Sequence, residues 1–329
     1  MKAPSPRARR LLPLLVGVAA IGACAREPAP ESGRLRVALL LAGPENDEGW
    51  NQSAFEGLQL IESRLGADVR KIRAESAAQI EQAMNDAARR GFGLVLGHGF
   101  EFNAPAAKVA AAWPAVSFAT TGGPASSKNL AVVVLRNEET SWQLGILAAH
   151  LTRSGVLSSL HGEALEPVKR VAAAFAAGAR SVRPDLRVLE DYLGSWSDVA
   201  LAKERALAHA AAGADLFFQN ADAAGAGIFE ACREKHGLAF GCNRDQTRKA
   251  PDVIVASAVA DVPELFLALA EEVRDGRFAG GVRSFGLREG KVHVAFNPAL
   301  DARVPAAARQ AMEAAAAAIV KGELAVGGP

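Results

Sequence analysis

Three short segments of the chain put aromatic rings beside amides. Asp47-Glu48-Gly49-Trp50-Asn51-Gln52-Ser53-Ala54-Phe55-Glu56-Gly57 carries an indole and two carboxamides where a helical pattern starts. Gly97-His98-Gly99-Phe100 follows an apolar run, and Phe217-Phe218-Gln219-Asn220 ends one. An aromatic plane next to directional donors and acceptors suits a planar heterocycle, because stacking holds the ring while hydrogen bonds read its edge. Trp50 also reads as a cap that seats a helix on a sheet. Phe217 and Phe218 also read as core, with strand alternation sending them to opposite faces. Catalytic constellations do not appear in the sequence. The histidines at 98, 150, 161, 209, 236 and 293 form neither an HExxH pair nor a Cys/His set with zinc spacing, and there is no GxSxG elbow or Walker A loop. Cys232 and His236 stand one helical turn apart, which without further ligands is better explained by a thiol beside a surface histidine than by a metal site. Gly225-Ala226-Gly227 fits either an anion-facing turn or close packing of a helix on its sheet. With no nucleophile and base in view, the expectation is a binding protein without metal or cofactor, not an enzyme.

The elements that must position these residues alternate from residue 35 onward. Residues 37–41 are continuously apolar, as in a strand buried on both faces, and Phe55, Leu58, Ile61 and Leu65 then recur at helical spacing. The alternation predicts further strands at 71–74, 94–96, 116–119, 131–135, 156–160, 187–192, 215–219 and 238–241. Helices are predicted at 77–90, 105–113, 144–151, 168–180, 199–212 and 225–235. Strands separated by helices of this length imply parallel sheets covered on both faces by right-handed crossovers. One Rossmann-like unit does not need so many strands, so two sheets are expected, the second series opening with the helix from Trp142. In the tail, 262–273 and 305–321 read as helices. Segments 283–287 and 291–296, joined by Arg288-Glu289-Gly290, read as a hairpin. The aromatic and amide segments then fall at C-terminal strand ends, where open α/β sheets place their ligands.

Half of the 329 residues are hydrophobic and the formal net charge is +1, so no basic surface is offered to nucleic acid. At the N-terminus Lys2, Arg7, Arg9 and Arg10 precede an apolar stretch at 11–20 and then Ile21-Gly22-Ala23-Cys24. This has the grammar of a secretory signal closed by a lipobox. The apolar stretch is shorter than the roughly 20 residues a membrane-spanning helix needs. The expectation is a signal peptide over 1–23, a lipidated Cys24, and a flexible tether over 24–35. Cys232 and Cys242 read as buried free thiols, and a bridge between them stays open because sequence does not fix their separation.

Taken in order, these segments resemble the basic membrane protein family of ABC-transporter substrate-binding lipoproteins, a group that includes bacterial purine nucleoside receptors. Asp47 to Gly57 resembles the family's Asp-Lys-Ser-Phe-Asn-Gln-Ser-Ala-Trp-Glu-Gly, and Gly97 to Phe100 its Gly-Phe-Gly-Phe. Pro167-Val168-Lys169-Arg170, Gly194-Ser195-Trp196, Gly213-Ala214-Asp215-Leu216-Phe217-Phe218-Gln219 and Gly241-Cys242-Asn243-Arg244-Asp245-Gln246 agree in order and spacing. The resemblance implies an α/β type I periplasmic-binding fold: two Rossmann-like lobes of parallel sheet joined by a three-crossing hinge. The first lobe would be 36–136 plus 252–278, and the second 137–251 plus 279–329. It implies a monomeric, lipid-anchored receptor in the cell envelope, facing the periplasm or cell exterior, that hands a small molecule to an ABC permease. Trp50 and Phe218 would stack on the ring, and Asn51, His98, Asn220 and Asn243 would read its edge. Asp245 would be a contact or a hinge residue.

The sequence also departs from the family. Carboxylates of the nucleoside receptors correspond to Leu41, Gly122 and Asn243, a lysine to Ala260, and a glycine pair to Asp222-Ala223. Losing several charge-assisted bonds should change ligand choice more than fold, and favours a free base over its ribonucleoside. A sensor of the same fold, signalling to a partner without transport, is the alternative; a periplasmic enzyme is the weaker one.

Overall fold

The computed structural model describes residue 1 and residues 33–327. The chain divides into two units, residues 1–33 and 34–329, and the fold described below belongs to the second. The expected signal peptide and Cys24 lie outside the described residues.

The first sheet begins with β1 (Arg36–Leu41), α1 (Trp50–Leu65), β2 (Asp68–Arg73), α2 (Ala77–Arg89), β3 (Leu94–His98), α3 (Asn103–Ala112), β4 (Ser117–Thr121) and β5 (Leu130–Leu135). The second begins with α4 (Asn137–Leu151), β6 (Val156–His161), α5 (Glu166–Val182), β7 (Arg187–Tyr192), α6 (Val199–Ala211), β8 (Leu216–Asn220), α7 (Gly225–Glu234), β9 (Leu238–Gly241) and β10 (Ile254–Ala260). The chain then returns through α8 (Val262–Arg274) and β11 (Gly281–Phe285), and ends with β12 (Val292–Phe296) and α9 (Ala306–Lys321). The strand orders are β2-β1-β3-β4-β5-β11 and β7-β6-β8-β9-β10-β12. All pairings are parallel except that of β12 with β10. This is the type I periplasmic-binding fold, two six-stranded sheets with helices on both faces of each.

The continuous apolar strands follow from that burial. In β1, Val37, Leu39 and Leu41 pack with Leu58 and Ile61 of α1 and with Leu265 and Phe266 of α8. Ala38 and Leu40 point the other way, toward Ile80 and Met84 of α2 and Phe102. A strand covered on both sides has no polar face to alternate with. Local signals set the helix starts. Ser76 and Gln79 form a reciprocal capping box on α2. Asp215 accepts from the Thr152 hydroxyl at 2.6 Å and from the Arg153 and Ser154 amides at 2.8 and 3.0 Å, which fastens the turn into β6 to the start of β8. Gly227 answers the question raised by its motif. A Cβ there would lie 2.1 Å from the Val199 carbonyl, so the glycine lets α7 pack closely on α6.

Three crossings connect the lobes: Arg136 between β5 and α4, Asp261 between β10 and α8, and residues 286–291 between β11 and β12. They run side by side and bond to one another. The Arg136 amide donates to the Phe285 carbonyl, the Asp261 amide to the Lys291 carbonyl (both 2.9 Å), and the Leu287 amide to the buried Glu139 carboxylate at 2.7 Å.

The expected hairpin is corrected here. A turn does form, with the Gly290 amide donating to the Leu287 carbonyl, but β11 pairs with β5 and β12 with β10, so the two strands separate into different sheets. The expected lobe boundaries shift with it. Residues 254–260 form a strand of the second sheet and 281–285 one of the first, opposite to the expected placing of 252–278 and of 279–329 before β12. Ladder partners far away in sequence decide sheet membership, and turn composition alone does not report them. Among the described residues no helix is long and apolar enough to cross a membrane.

Candidate ligand site

The start of α1 organises the space between the lobes. The first four amides of a helix have no partner inside it. Here Asp47, buried just upstream, accepts from the amides of Gly49 (3.0 Å), Asn51 (2.8 Å) and Gln52 (3.0 Å), and from Asn51 Nδ2 (2.7 Å). That leaves the Trp50 amide, which donates at 3.0 Å to Asp222 Oδ1 of the second lobe, 172 residues away.

Trp50 is half-buried, and its indole stacks on His98 with centroids 4.0 Å apart and planes inclined by 23°. Phe266 meets the imidazole edge-on at 5.6 Å. His98 Nε2 donates to the Trp50 carbonyl at 3.0 Å, and the Thr121 hydroxyl donates to Nδ1 at 3.2 Å, which assigns the proton to Nε2. Burial pushes the imidazole down to about 3, so it is neutral across the physiological range. The ring expected to read a ligand edge thus has both nitrogens engaged and backs the indole instead. Asn51 Oδ1 is buried with no partner among the described residues, an acceptor beside Trp50.

In the second lobe the expected stacking ring is not in the cleft. Phe218 is wholly buried and stacks on Phe175 at 4.9 Å, with His161 edge-on at 5.9 Å. Phe217 faces the opposite core, as strand alternation required. Both phenylalanines are structural, because β8 lies in the middle of its sheet with helices on each face. A further tryptophan, Trp196, belongs to this lobe. It is half-buried on the loop after β7 and rests on Gly162, where a Cβ would lie 2.2 Å from the indole. Its carbonyl accepts from the Ala224 amide at 3.0 Å. Trp50 through its amide and Trp196 through its carbonyl, one from each lobe, thus both bond to the short turn 222–224. Sequence reading passed over Trp196 although it stands in one of the matched segments. A large aromatic in a Gly/Ser loop after a strand was the available signal.

Asn220 and Asn243 do come together. Asn243 Nδ2 donates to Asn220 Oδ1 (3.3 Å) and to Asp222 Oδ1 (3.1 Å), with Asn243 itself in the left-handed region at φ 66°. Gln246, also missed from sequence, joins them to the first lobe. Its Oε1 accepts from Gln219 Nε2 at 2.5 Å and its Nε2 donates to the Glu48 carbonyl at 3.1 Å. Ion pairs Arg244–Glu56 and Lys249–Glu48 span the same gap nearer solvent. Asp245 lies outside this group. It is exposed, and its carboxylate accepts from the Thr247 amide at 2.9 Å to form a turn. Cys232 and Cys242 are free and buried, and burial raises both thiols, Cys242 to about 12. Among the described residues no cluster of ligating side chains could hold a metal ion. The arrangement gathers amide and carboxylate groups beside the Trp50 indole where the lobes meet.

The model of a family described as ABC transporter substrate-binding protein PnrA-like matches residues 34–320. The ABC transporter nucleoside-binding protein BmpA of Lactococcus lactis subsp. cremoris is 26% identical over 314 residues, spanning 87% of this chain and 90% of the relative. A purine-binding protein of Brucella abortus is 26% identical over 265 residues, 80% of this chain and 75% of its own length. The crystal structure of an ABC-transporter solute-binding protein from Aeropyrum pernix superimposes with a TM-score of 0.82 at 22% identity, covering 89% of this chain and 92% of that one.

The two aromatic assignments separate in one experiment. Phe218→Ala should lower unfolding free energy by about 3–5 kcal/mol in a urea titration, the usual cost of emptying a core phenylalanine site. A loss below about 1 kcal/mol would return Phe218 to the cleft.

Proposed function

The chain belongs to the Bmp family of PnrA-like ABC transporter substrate-binding proteins, and from that premise we propose that it is a lipid-anchored receptor that closes on a small flat heterocycle and presents it to an ABC permease. The observation that carries the ligand class is the pair of half-buried tryptophans, Trp50 and Trp196, contributed by opposite lobes and each bonded through its backbone to the turn 222–224. The outer face of Trp50 and the ring of Trp196 stack on the heterocycle. Asn51 Oδ1, Asn220 and Asn243 read its edge, and His98 holds the Trp50 indole in place. A large aromatic from each lobe makes binding and closure one event, since neither face of the sandwich is complete until the lobes meet. The names of the Lactococcus and Brucella relatives support a nucleoside- or purine-like ligand.

Within that class the free base is the better fit. Leu41 and Ala260 are buried apolar side chains, and Gly122 carries none. A ribose set against them would leave hydroxyls without partners at about 1–3 kcal/mol each. In a thermal-shift panel of purine and pyrimidine bases beside their ribonucleosides, confirmed by titration, the bases should give the larger shifts. Consistently larger shifts with nucleosides would show that other residues hold the sugar.

Stacking is tested by calorimetry on the ligand so identified. Trp50→Ala and Trp196→Ala should each weaken binding by about 1–3 kcal/mol, with little change in ligand-free melting temperature. Unchanged affinity in Trp196→Ala would remove it from the site.

The anchor is proposed from the basic and apolar leader that ends in Ile21-Gly22-Ala23-Cys24. Metabolic labelling with a fatty acid should mark the wild type and not Cys24→Ser. Equal label in both would end the lipoprotein reading.

A further inference from the structure

Asp222 is a carboxylate in an uncommon position. It is buried, it sits at φ 46° where most side chains are strained, and its Oδ1 takes bonds from two directions, Trp50 N–H of the first lobe and Asn243 Nδ2 of its own. The approach is close enough to dictate its neighbour. A Cβ on residue 49 would stand 2.0 Å from Asp222 Oδ1, so only a glycine fits at the start of α1. Asp47 already holds three amides of the same helix start, and Asp222 takes the remaining one. Two carboxylates, one per lobe, thus converge on adjacent amides of one helix terminus.

We propose that Asp222 is the catch that holds the second lobe against the first, and that closing the lobes takes up a proton at this carboxylate. The inference needs only that the lobes move about their hinge, and it is independent of the ligand class proposed above. The geometry supplies both halves. The bond to the Trp50 amide exists only when the lobes meet, and meeting carries Asp222 out of water to a place beside Asp47. The other groups around it do not offset that. Glu48, Lys249, Arg233 and Glu230 line an adjoining cavity of about 330 Å³ with Asp222, but Lys249 is paired with Glu48, Arg233 with Asp252, and Glu230 with Lys203. The Cys242 thiol behind it is itself held neutral by burial.

In the closed form burial, and then the charge of Asp47, push the Asp222 carboxyl up to about 7, against the opposing pull of Trp50 N–H and Asn243. With the lobes apart the group returns toward the ordinary carboxylate range. A group raised in the closed state favours that state fully at pH values below its open-state pKa. The advantage is lost as pH rises, and the loss is complete once pH passes about 7.

The test is the interlobe distance in the full chain with no ligand added. Nitroxides are placed by Gln82→Cys and Glu204→Cys, exposed positions on α2 and α6, in a Cys24→Ser background, and pulsed electron resonance reads the separation. The short-distance population should be several-fold larger at about pH 5 than at about pH 8. Asp222→Asn keeps an acceptor for the Trp50 amide and removes the proton, so its distribution should not respond to pH. Asp222→Ala should shift to the long distance at both pH values. A pH-independent wild type would overturn the proton coupling. An unchanged distribution in Asp222→Ala would overturn the catch. Because no ligand enters the measurement, neither result depends on what the receptor binds.

Discussion

The four open amides at the start of α1 are the constraint around which the space between the lobes is arranged. Left bare beside buried side chains, each would cost about as much as a lost hydrogen bond. Asp47 answers three of them from within the first lobe, and the fourth is answered only from the other lobe. Much of the cleft chemistry follows from that division. Gly49 must lack a side chain, Asp222 must adopt a left-handed backbone to reach across, and Asn243 must turn its amide to share the same oxygen. The indole of Trp50 is placed by the same helix start and is backed by a histidine whose two nitrogens are spent on fixing it.

Parallel sheets explain why the polar groups collect where they do. Every strand of such a sheet delivers its C-terminal end to the same edge, and the chain must leave that edge through a loop before entering the next helix. Gln219-Asn220 at the end of β8 and Asn243 after β9, strands paired in the second sheet, are therefore neighbours in space, and Gly97-His98 stands at the matching end of β3 in the first. The mutual bonds of the second-lobe amides, with Gln246 and Asp222, leave few of them idle. They form a connected network in which a change at one amide moves its partners.

Legibility in sequence tracked the range of the interaction involved. Helices and strands whose burial is decided by neighbours a few residues away read correctly, from the continuous apolar run of β1 to the spacing of Leu58 and Ile61. The run 254–260, Ile-Val-Ala-Ser-Ala-Val-Ala, was not read as a strand because its small residues carry little pattern, and its partners lie in β9 and β12. Arg288-Glu289-Gly290 does form a turn, yet the strands it joins belong to different sheets, which no local rule reports. At the site, resemblance pointed to Phe218, whereas alternation correctly sends Phe217 and Phe218 into opposite cores. Phe218 sits one step before the amides of Gln219 and Asn220, but the pleat sends it into the core. The half-buried indole of Trp196 lies on a loop and rests on Gly162, just past the end of β6.

The way the last strands are exchanged carries a consequence for how the molecule is made. Neither lobe is a continuous stretch of chain: β11 completes the edge of the first sheet after the second is nearly built, and β12 then closes the second. A ribosome delivers the N-terminal half long before residue 281 exists, so the first sheet waits with the β5 edge unpaired until almost all of the polypeptide has emerged. Such an order ties native structure to the end of synthesis. No single cut can release one lobe intact, and the two lobes reach their final form together.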